Sequence, residues 1–312
     1  MNTIDLRKII EEFEIITIFR HEHPDCDAFG SQFGLKNWIS ENYPNKQVYA
    51  LGNESINQGE FPSLDTCEDS TIQNSLAIVL DTANKERVDD KRFLQAKKIL
   101  KIDHHPDRQP FGDIQYVDTK AAATCEILAT LFKECQDSKI SADTAKYLYQ
   151  GLLTDTISYS TSNTTAHTLE MGAYLAKQGI NIPVINRKLF DQELHSYQFA
   201  GWIRSNIQIK NQKIAYIIIH QNELEKWQMS ASEARNFVNE LGHVKEFEVW
   251  CMFTQKQEEP AILYDGSLRS KTVVLNDLAQ DYRGGGHPNA SGVKDLTDAD
   301  INSLLDKLEK LL

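Results

Sequence analysis

Three short apolar runs, each followed at once by acidic residues or histidine, constrain the fold of this chain more than any other feature. They span residues 15–19, 75–80 and 97–102. In a parallel sheet that is buried on both faces, strands read as such apolar runs, and their ends line one edge of the sheet. Ligands of open α/β sheets bind in the crevice beyond the carboxyl ends of the strands. The pattern therefore predicts an α/β fold with a polar site at that edge.

The residues after these runs are of types that bind metal ions. They are His21, Asp25 and Asp27 after the first run, Asp81 after the second, and Asp103, His104 and His105 after the third. A further acidic residue, Asp155, follows the helical pattern of residues 141–153. Carboxylate oxygens and imidazole nitrogens together suit a divalent cation. A single His-x-x-x-Asp-x-Asp pattern arises by chance, but its recurrence at three strand ends favours a metal site.

Composition sets broad limits on the function. The 312 residues suffice for two domains, and no apolar run approaches the ~18–20 residues needed to span a bilayer. With no apolar signal-peptide core near the N-terminus, we expect a soluble, cytoplasmic protein. The net charge of −12 disfavours a broad nucleic-acid surface, so any nucleotide ligands should be small. The five cysteines are scattered without Cys-x-x-Cys pairs, which indicates neither disulfides nor a thiolate zinc site.

The pattern of predicted secondary structure changes after residue 205. Before it, apolar runs alternate with helical patterns, such as residues 121–135; after it, residues 207–220 read as a strand pair around Asn211 and Gln212. An amphipathic helix is predicted for residues 297–312. We predict a catalytic domain over residues 1–190, a helical linker over 191–205, and a second domain over 206–312.

Two C-terminal motifs complete a family resemblance. They are Gly284-Gly-Gly-His287-Pro-Asn-Ala-Ser-Gly292 and Ser267-Leu-Arg269-Ser. Together with the upstream acidic and histidine residues, they resemble the DHH phosphoesterase superfamily in the branch that carries a DHHA1 domain. Residues 81–84 and 101–106 look like the stand-alone nanoRNase/pAp-phosphatase group, whose close relatives cleave cyclic di-AMP or linear pApA. The resemblance implies a DHH domain with a mainly parallel sheet flanked by helices. It also implies a smaller α/β DHHA1 domain with a mixed sheet, and an active site in the cleft between the two.

The resemblance also implies a role for each motif residue. Two divalent ions are expected, usually Mn²⁺, with Mg²⁺ or Co²⁺ as alternatives. His21 and Asp25 would hold one ion, Asp27, His104 and Asp155 the other, and Asp81 would bridge them. The two expected catalytic residues are His105, beside the substrate phosphate, and Asp103, which would support the site without binding a metal.

The C-terminal motifs are expected to bind substrate. Consecutive glycines let backbone N–H groups approach an anion closely, in conformations that other residues avoid. Arg269 can grip a phosphate or carboxylate with two hydrogen bonds, and His287 can donate another. The expected substrate-binding residues are Arg269, Gly284, Gly285, Gly286 and His287.

The expected reaction is hydrolysis of short 5′-phosphorylated oligonucleotides such as pApA to mononucleotides, and of pAp to AMP, by a water that two metal ions activate. A cyclic di-AMP phosphodiesterase is the main alternative, and the sequence does not separate the two. A family II pyrophosphatase carries a different C-terminal domain, and a RecJ-like exonuclease is longer and more basic. A nucleotide sensor without catalysis would be expected to lose metal ligands. We expect no membrane or long nucleic acid as a partner and, by family analogy, a homodimer.

A few positions depart from the family pattern or have no assigned role. Ile157 stands where members of the group often have glycine, and His23 and Cys26 lie where many carry arginine and proline. These departures bear on substrate preference rather than on the chemistry. Cys26 is interpreted as a spacer between ligands, and the roles of His23 and Arg87 stay open. Structural roles without partners in the site are expected for His167, His195, His220 and His243.

Overall fold

The computed structural model of this chain describes residues 4–53, 61–107, 109–135, 137–256 and 262–312. It divides into two compact units, residues 1–191 and 192–312. Within the described ranges, no helix is both long enough and apolar enough to span a membrane.

The first unit contains a five-stranded sheet in which all pairings are parallel. Its strands are β1 (Ile15–Phe19), β2 (Gln47–Ala50), β3 (Leu76–Leu80), β4 (Lys98–Asp103) and β5 (Ile114–Val117). They lie in the order β2-β1-β3-β4-β5. Every residue of the central strand β3 is buried, as expected for a strand covered on both faces. The parallel sheet predicted from the apolar runs is confirmed.

Helices surround this sheet. They are α1 (Leu6–Glu11), α2 (Cys26–Asn42), α3 (Asp69–Gln73), α4 (Thr124–Glu134), α5 (Ala142–Asp155), α6 (Ala166–Ala176) and α7 (Ile182–Phe190). Apolar residues of α2, α4 and α5 share one core with the sheet, in which Trp38 stacks on Phe132 at a ring-centroid distance of 4.4 Å. The helical pattern predicted for residues 141–153 is confirmed as α5, and the side chain of Ser141 caps it by accepting a hydrogen bond from the Thr144 N–H.

Glycines bring α2 and α5 into close contact. A Cβ atom at Gly30 would lie 2.5 Å from the Tyr147 carbonyl oxygen, and one at Gly34 would lie 2.6 Å from the Leu148 side chain. Neither gap accommodates a methyl group. The close approach places the start of α2, which carries Asp27, beside the end of α5, which carries Asp155.

The second unit contains a mixed six-stranded sheet. Its strands are β6 (Gln208–Lys210), β7 (Ile214–Ile219), β8 (Val249–Gln255), β9 (Tyr264–Ser270), β10 (Gly285–His287) and β11 (Ala290–Leu296). They lie in the order β10-β11-β9-β8-β7-β6, and the β7–β8 pairing is parallel while the others are antiparallel. The helices are α8 (Leu194–Ser205), α9 (Gln221–Lys226), α10 (Ala231–Arg235), α11 (Asn276–Gln280) and α12 (Asp298–Glu309). The mixed sheet matches the predicted fold class.

Two apolar cores form in this unit. One contains Leu268 and Val293 of the sheet with Leu304 of α12. The other contains Ile217 and Met252 with residues of α8 to α10. The stretch predicted as a helical linker is largely α8, which belongs to the second unit and contributes Phe199 and Ile203 to the latter core.

Several local features differ from the sequence prediction. The predicted strand pair is present as β6 and β7, and both Asn211 and Gln212 adopt positive φ in the turn between them. Residues 285–287, for which no strand was predicted, form the strand β10 and pair with β11. Ala261, the predicted start of a strand, lies outside the described residues, and β9 begins at Tyr264. The short helices α9 and α11 were not predicted.

Candidate metal centre

The eight metal-site and catalytic residues predicted in the first unit lie together beyond the carboxyl ends of β1, β3 and β4. Among the described residues there are three sets of possible ligand atoms in which all atoms lie within 4.8 Å of one another. The sets are His21 with Asp25 and Asp81, Asp27 with His104 and Asp155, and Asp81 with His104 and His105. The first two sets bring together the residues that the family resemblance assigns to one ion and to the other.

The first set is arranged around the imidazole of His21. Its Nδ1 atom lies 2.7 Å from the Glu22 carbonyl oxygen, so this nitrogen donates and Nε2 is left to act as a ligand. Nε2 lies 3.4 Å from Asp81 Oδ2 and 3.9 Å from Asp25 Oδ2. The other carboxylate oxygen of Asp25 caps α2 by accepting from the N–H groups of Asp27 and Ala28. Local hydrogen bonds therefore orient both ligands.

Asp27 is held by the N-terminus of α4. Its Oδ2 accepts from the Thr124 N–H at 2.7 Å and its Oδ1 from the Cys125 N–H at 2.9 Å. Ala123, the N-cap residue of α4, makes no side-chain hydrogen bond to the helix terminus. Asp27, which belongs to α2, caps α4 instead. Sequence reasoning missed this contact, because Asp27 is 97 residues from Thr124 and neither position signals the other.

Asp81 connects the two predicted ion sites. It is buried, and its backbone is left-handed with φ of +51°, an uncommon conformation for a non-glycine residue. Its Oδ1 accepts from the Thr124 hydroxyl at 3.1 Å and lies 3.5 Å from His104 Nε2, while Oδ2 faces His21. Asp81 therefore presents one carboxylate oxygen to each of the two predicted sites.

The second set lies on the other side of Asp81. His104 Nε2 is 3.5 Å from Asp155 Oδ2 and 4.0 Å from Asp27 Oδ2. Asp155 is the last residue of α5, where the negative end of the helix dipole disfavours an anion. A cation between these three ligands would offset that cost.

The acid–base properties of the cluster fit a cation-binding role. Burial and the neighbouring carboxylates raise the pKa of Asp27, and they raise the pKa of Asp155 to about 10. Burial also opposes ionisation of Asp81, but the hydrogen bond from His21 and the charges of the nearby imidazoles outweigh it and lower its pKa to about 2. The carboxylates thus lie too close together to ionise at once without positive charge between them. Oxygen and imidazole ligands with this excess of negative charge fit divalent cations.

His105 is oriented by Asp103. Asp103 Oδ1 accepts both the His105 backbone N–H at 3.1 Å and a hydrogen bond from its Nδ1 at 2.9 Å. The hydrogen bond to Asp103 raises the pKa of His105 to about 9, despite partial burial. The ring also lies edge-on to His104, with centroids 4.4 Å apart. His105 is therefore placed beside the ligand cluster with Nε2 available to another molecule.

A glycine of α5 allows this arrangement. A Cβ atom at Gly151 would lie 2.5 Å from Cys125 Sγ and 2.8 Å from the Asp27 Cα. Since these are buried neighbours, a side chain at this position would displace Asp27 from the helix terminus that holds it. Gly151 did not stand out in the sequence as part of the site.

The predicted substrate-binding residues lie in the sheet of the second unit. Ala290 of β11 pairs directly with His287 of β10 on one side and with Arg269 of β9 on the other. Directly paired residues point to the same face, so Arg269 and His287 share a face about 10 Å apart with only a methyl group between them. Gly286 has a φ of +139°, which a residue with a side chain rarely adopts. The register therefore places two side chains that can donate hydrogen bonds on one face of the sheet.

Cys26, His23 and Arg87 lie in or beside the loop that carries His21. Burial and the neighbouring carboxylates raise the pKa of the Cys26 thiol to about 12, which supports the spacer interpretation. His23 is exposed with φ of +52°. Arg87 is exposed, and its carbonyl oxygen accepts the Glu22 N–H, so its backbone lies beside the loop that carries His21.

Two of the remaining histidines have hydrogen-bond partners, and these partners lie outside the metal-ligand sets. His167 Nε2 lies 2.8 Å from the Thr130 hydroxyl oxygen, and His220 Nδ1 lies 3.2 Å from the Tyr264 hydroxyl oxygen. These contacts are structural, since none of the four residues belongs to the metal-ligand sets.

Comparisons with known proteins match both units. Residues 15–152 match the DHH family N-terminal domain, and residues 211–312 match the DHHA1 domain. The bifunctional oligoribonuclease and PAP phosphatase NrnA of Bacillus subtilis is 34% identical over 309 residues, which are 98% of this chain and 97% of that protein. The cyclic-di-AMP phosphodiesterase GdpP of Geobacillus thermodenitrificans is 23% identical over 98% of this chain, which spans 48% of that protein.

A solved structure shares the fold. The crystal structure of an exopolyphosphatase-related protein from Bacteroides fragilis is similar with a TM-score of 0.82 and 24% sequence identity, over 97% of this chain and 94% of that chain.

Proposed function

The chain belongs to the DHH family, and on that premise we propose that it is a metal-dependent phosphoesterase acting on short 5′-phosphorylated oligonucleotides and on pAp. It hydrolyses the former, such as pApA, to mononucleotides and the latter to AMP. The observation that carries the proposal is the convergence of four carboxylates and two imidazoles at one sheet edge, divided into two ligand sets that share the region of Asp81. The name of the Bacillus subtilis relative, which is similar over nearly the full chain, supports the substrate class.

The six residues of these sets would hold two divalent ions. His21 and Asp25 would serve one ion, and Asp27, His104 and Asp155 would serve the other. Asp81 would contribute to both, since its Oδ2 lies 3.4 Å from His21 Nε2 and its Oδ1 lies 3.5 Å from His104 Nε2. When bound, a pair of such ions increases the acidity of water and neutralises the charge of a phosphate. We propose Mn²⁺ as the ion, because the family resemblance implies it and carboxylate oxygens, which form most of the ligand set, suit Mn²⁺.

His105 assists at the phosphate. In the metal-free fold its imidazole is protonated at neutral pH, because the hydrogen bond to Asp103 raises its pKa to about 9. It can therefore donate from Nε2 to a phosphate oxygen while Asp103 holds Nδ1. This donor stabilises the negative charge that increases on the phosphate as the ester bond breaks.

Residues of the second unit would bind the substrate. Arg269 and His287 would bind a phosphate from two sides above Ala290, and the sheet edge is open at Gly285, where a Cβ atom would meet nothing within 4 Å. Few such contacts suffice for a dinucleotide, and they agree with a chain whose net charge of −12 disfavours long nucleic acids.

A cyclic di-AMP phosphodiesterase is the second candidate. The similarity to the Geobacillus thermodenitrificans GdpP supports it, but at lower identity and over about half of that protein. Both reactions would use the same ligand sets, so only a comparison of the rates on the two substrates distinguishes the two candidate functions.

The test is a product analysis. Purified protein with Mn²⁺ is incubated in parallel with pApA, pAp, cyclic di-AMP and pyrophosphate, and products are separated by ion-exchange chromatography. Fast formation of AMP from pApA and pAp, with slow attack on the cyclic compound, is the expected result. Faster opening of cyclic di-AMP would favour the second candidate, and binding without turnover of any compound would indicate a nucleotide sensor.

Two variants connect that activity to the site. Asp81→Ala removes the shared ligand and should lower kcat by at least about 100-fold. Asp143→Ala removes an exposed carboxylate at the opposite end of α5 from Asp155 and should leave kcat unchanged. Full activity of the Asp81 variant would contradict the mechanism. The cytoplasmic location and the homodimer stay predictions, to be checked by cell fractionation and by light scattering.

A further inference from the structure

A buried lysine lies beneath the candidate site. Lys101 of β4 is fully buried, which is rare for lysine unless its charge is paired. It is two residues before Asp103, and side chains at positions i and i+2 of a strand point to the same face. Lys101 and Asp103 therefore extend on the same side of the sheet, behind His105.

The ammonium group of Lys101 contacts oxygen atoms from two motif loops. Its Nζ donates to the Ala83 carbonyl oxygen at 3.1 Å, in the loop that follows Asp81. It also donates to Asp107 Oδ1 at 3.1 Å, in the loop that follows His105. The ring of Phe111 covers it at 4.9 Å from the centroid. The contacts join the two loops that carry the candidate site.

The same ammonium group lies beside the free oxygen of Asp103. Asp103 Oδ1 is engaged twice by His105, while Oδ2 makes no hydrogen bond to any described residue and lies 3.4 Å from Lys101 Nζ. An ionised carboxylate buried with one unbonded oxygen is costly, and a cation at this distance offsets the cost. Lys101 thus favours the orientation of Asp103 in which Oδ1 faces His105.

We propose that Lys101 is a positioning residue of the reaction, which fixes the imidazole of His105 through Asp103 and joins the loops after β3 and β4. The kinetic part rests on the proposed function, since it concerns the phosphate that His105 would contact. The structural part stands alone: the lysine keeps His105 in the tautomer that carries its proton on Nδ1 when the ring is neutral.

The kinetic test uses Lys101→Met, which keeps the length of the side chain and removes its charge. On pApA with saturating Mn²⁺, kcat should fall about 10-fold or more, while KM should change less than about 2-fold. The matched control is Lys36→Met, because Lys36 pairs with Asp65 at 2.6 Å in the same unit but away from the site. The control should keep kcat. Equal kinetics of Lys101→Met and wild type would overturn the proposal.

A double-mutant cycle separates positioning from general destabilisation. If Lys101 acts through Asp103, then Lys101→Met should cost little further kcat in an Asp103→Asn background. Multiplicative losses of kcat in the double variant would mean that Lys101 acts independently of Asp103, and the proposal would be wrong.

A readout without catalysis keeps the two proposals distinguishable. Long-range ¹H–¹⁵N NMR correlations of the metal-free protein, at a pH where the ring is neutral, report which nitrogen of His105 carries the proton. We expect the Nδ1-protonated tautomer in wild type and in Lys101→Arg, and a mixture in Lys101→Met. A mixture already in wild type would overturn the inference. If Lys101→Met does not fold, the comparison of wild type with Lys101→Arg tests the proposal instead. Arginine keeps the positive charge beside Asp103, so loss of the Nδ1-protonated tautomer in this variant would contradict the proposal. Absence of turnover in wild type would refute the proposed function only.

Discussion

At the scale of single residues, the site depends on positions that carry no reactive group. Gly151 has room for hydrogen only, because Asp27 and Cys125 pack against its Cα. Ile157, by contrast, carries a branched side chain at φ of +45°, and Ser158 and Tyr159 are also left-handed. Left-handed backbone costs roughly 1–2 kcal/mol per non-glycine residue. The absence of a side chain at Gly151 leaves space for the metal ligand Asp27. Ile157, in contrast, adds backbone strain to the turn that follows Asp155.

Replacing Gly151 by alanine should damage the site more than the fold. The added methyl group would have to displace Asp27 or the Cys125 thiol, at a cost of about 1–3 kcal/mol for an overpacked core. We expect a lower Tm and at least about 10-fold weaker Mn²⁺ binding, measured by differential scanning fluorimetry and by calorimetry. The control is Gly201→Ala, where the new Cβ meets no atom within 4 Å and should stabilise α8. Unchanged Mn²⁺ affinity of the Gly151 variant would refute this role.

Replacing Ile157 by glycine should stabilise the chain. The side chain is 63% exposed, so its removal costs little packing, while the left-handed strain at this residue disappears. A rise in Tm of a few degrees is expected, partly reduced by the greater flexibility of glycine in the unfolded chain. Ile157→Ala keeps a Cβ atom and should not give this gain, so an equal rise in both variants would argue against strain as the cause.

At the scale of elements, the N-terminal turn of α4 holds the metal ligands of other elements. Its N–H groups bind both oxygens of Asp27 and its Thr124 hydroxyl binds Asp81, so one helix terminus orients the two buried carboxylates. The positive end of the helix dipole also favours these anions before any cation is bound. The helix is thus a support of the site although it supplies no ligand.

Thr124→Val tests this support. Valine keeps the shape of threonine and both backbone donors but loses the hydrogen bond to Asp81. Mn²⁺ affinity should fall about 10-fold, as is typical when an outer partner of a metal ligand is lost, and Thr124→Ser should restore most of it. Thr130→Val is the control, because that hydroxyl lies on the same helix and contacts Glu126 and His167. If both valine variants lose affinity equally, the effect is not specific to the ligand contact.

At the scale of the whole molecule, the carboxylate cluster connects metal binding, pH and stability. In the metal-free fold Asp155 keeps its proton up to about pH 10, whereas an unfolded aspartate releases it near pH 4. Between these values the folded chain binds more protons than the unfolded chain, so its contribution to stability falls as pH rises. Bound cations reverse the sign, because they stabilise the ionised carboxylates.

The corresponding prediction concerns Tm at two pH values. Between pH 5 and pH 8, Asp155 should make the Tm of the metal-free protein fall, and Asp155→Asn should make that pH dependence weaker because the variant has no proton to release. Addition of Mn²⁺ should raise Tm more at pH 8 than at pH 5. An identical pH dependence in wild type and variant, measured by scanning calorimetry, would show that Asp155 is not the titrating group.

Features of this fold that depend on residues close together in the chain were predictable from the sequence, and features that depend on contacts between distant residues were not. The parallel sheet was predictable because an apolar run such as residues 76–80 must be buried on both faces. The convergence of Asp81 and His104 followed from it, since parallel strands end at one edge. The strand β10 was missed, because residues 285–287 gain their strand conformation from pairing with β11 rather than from local preference.

The sequence by itself determined the classes of element and the chemistry at the strand ends, because periodicity and chain adjacency are local properties. Only the tertiary structure decided what supports that chemistry. The contact of Asp27 with Thr124 spans 97 residues, and the close approach at Gly151 joins α5 to α2 and α4. Lys101 lies in one of the apolar runs as a charged residue, and only the structure shows that it is fully buried. These contacts depend on how the elements pack, and packing is a property of the whole fold that no short segment encodes.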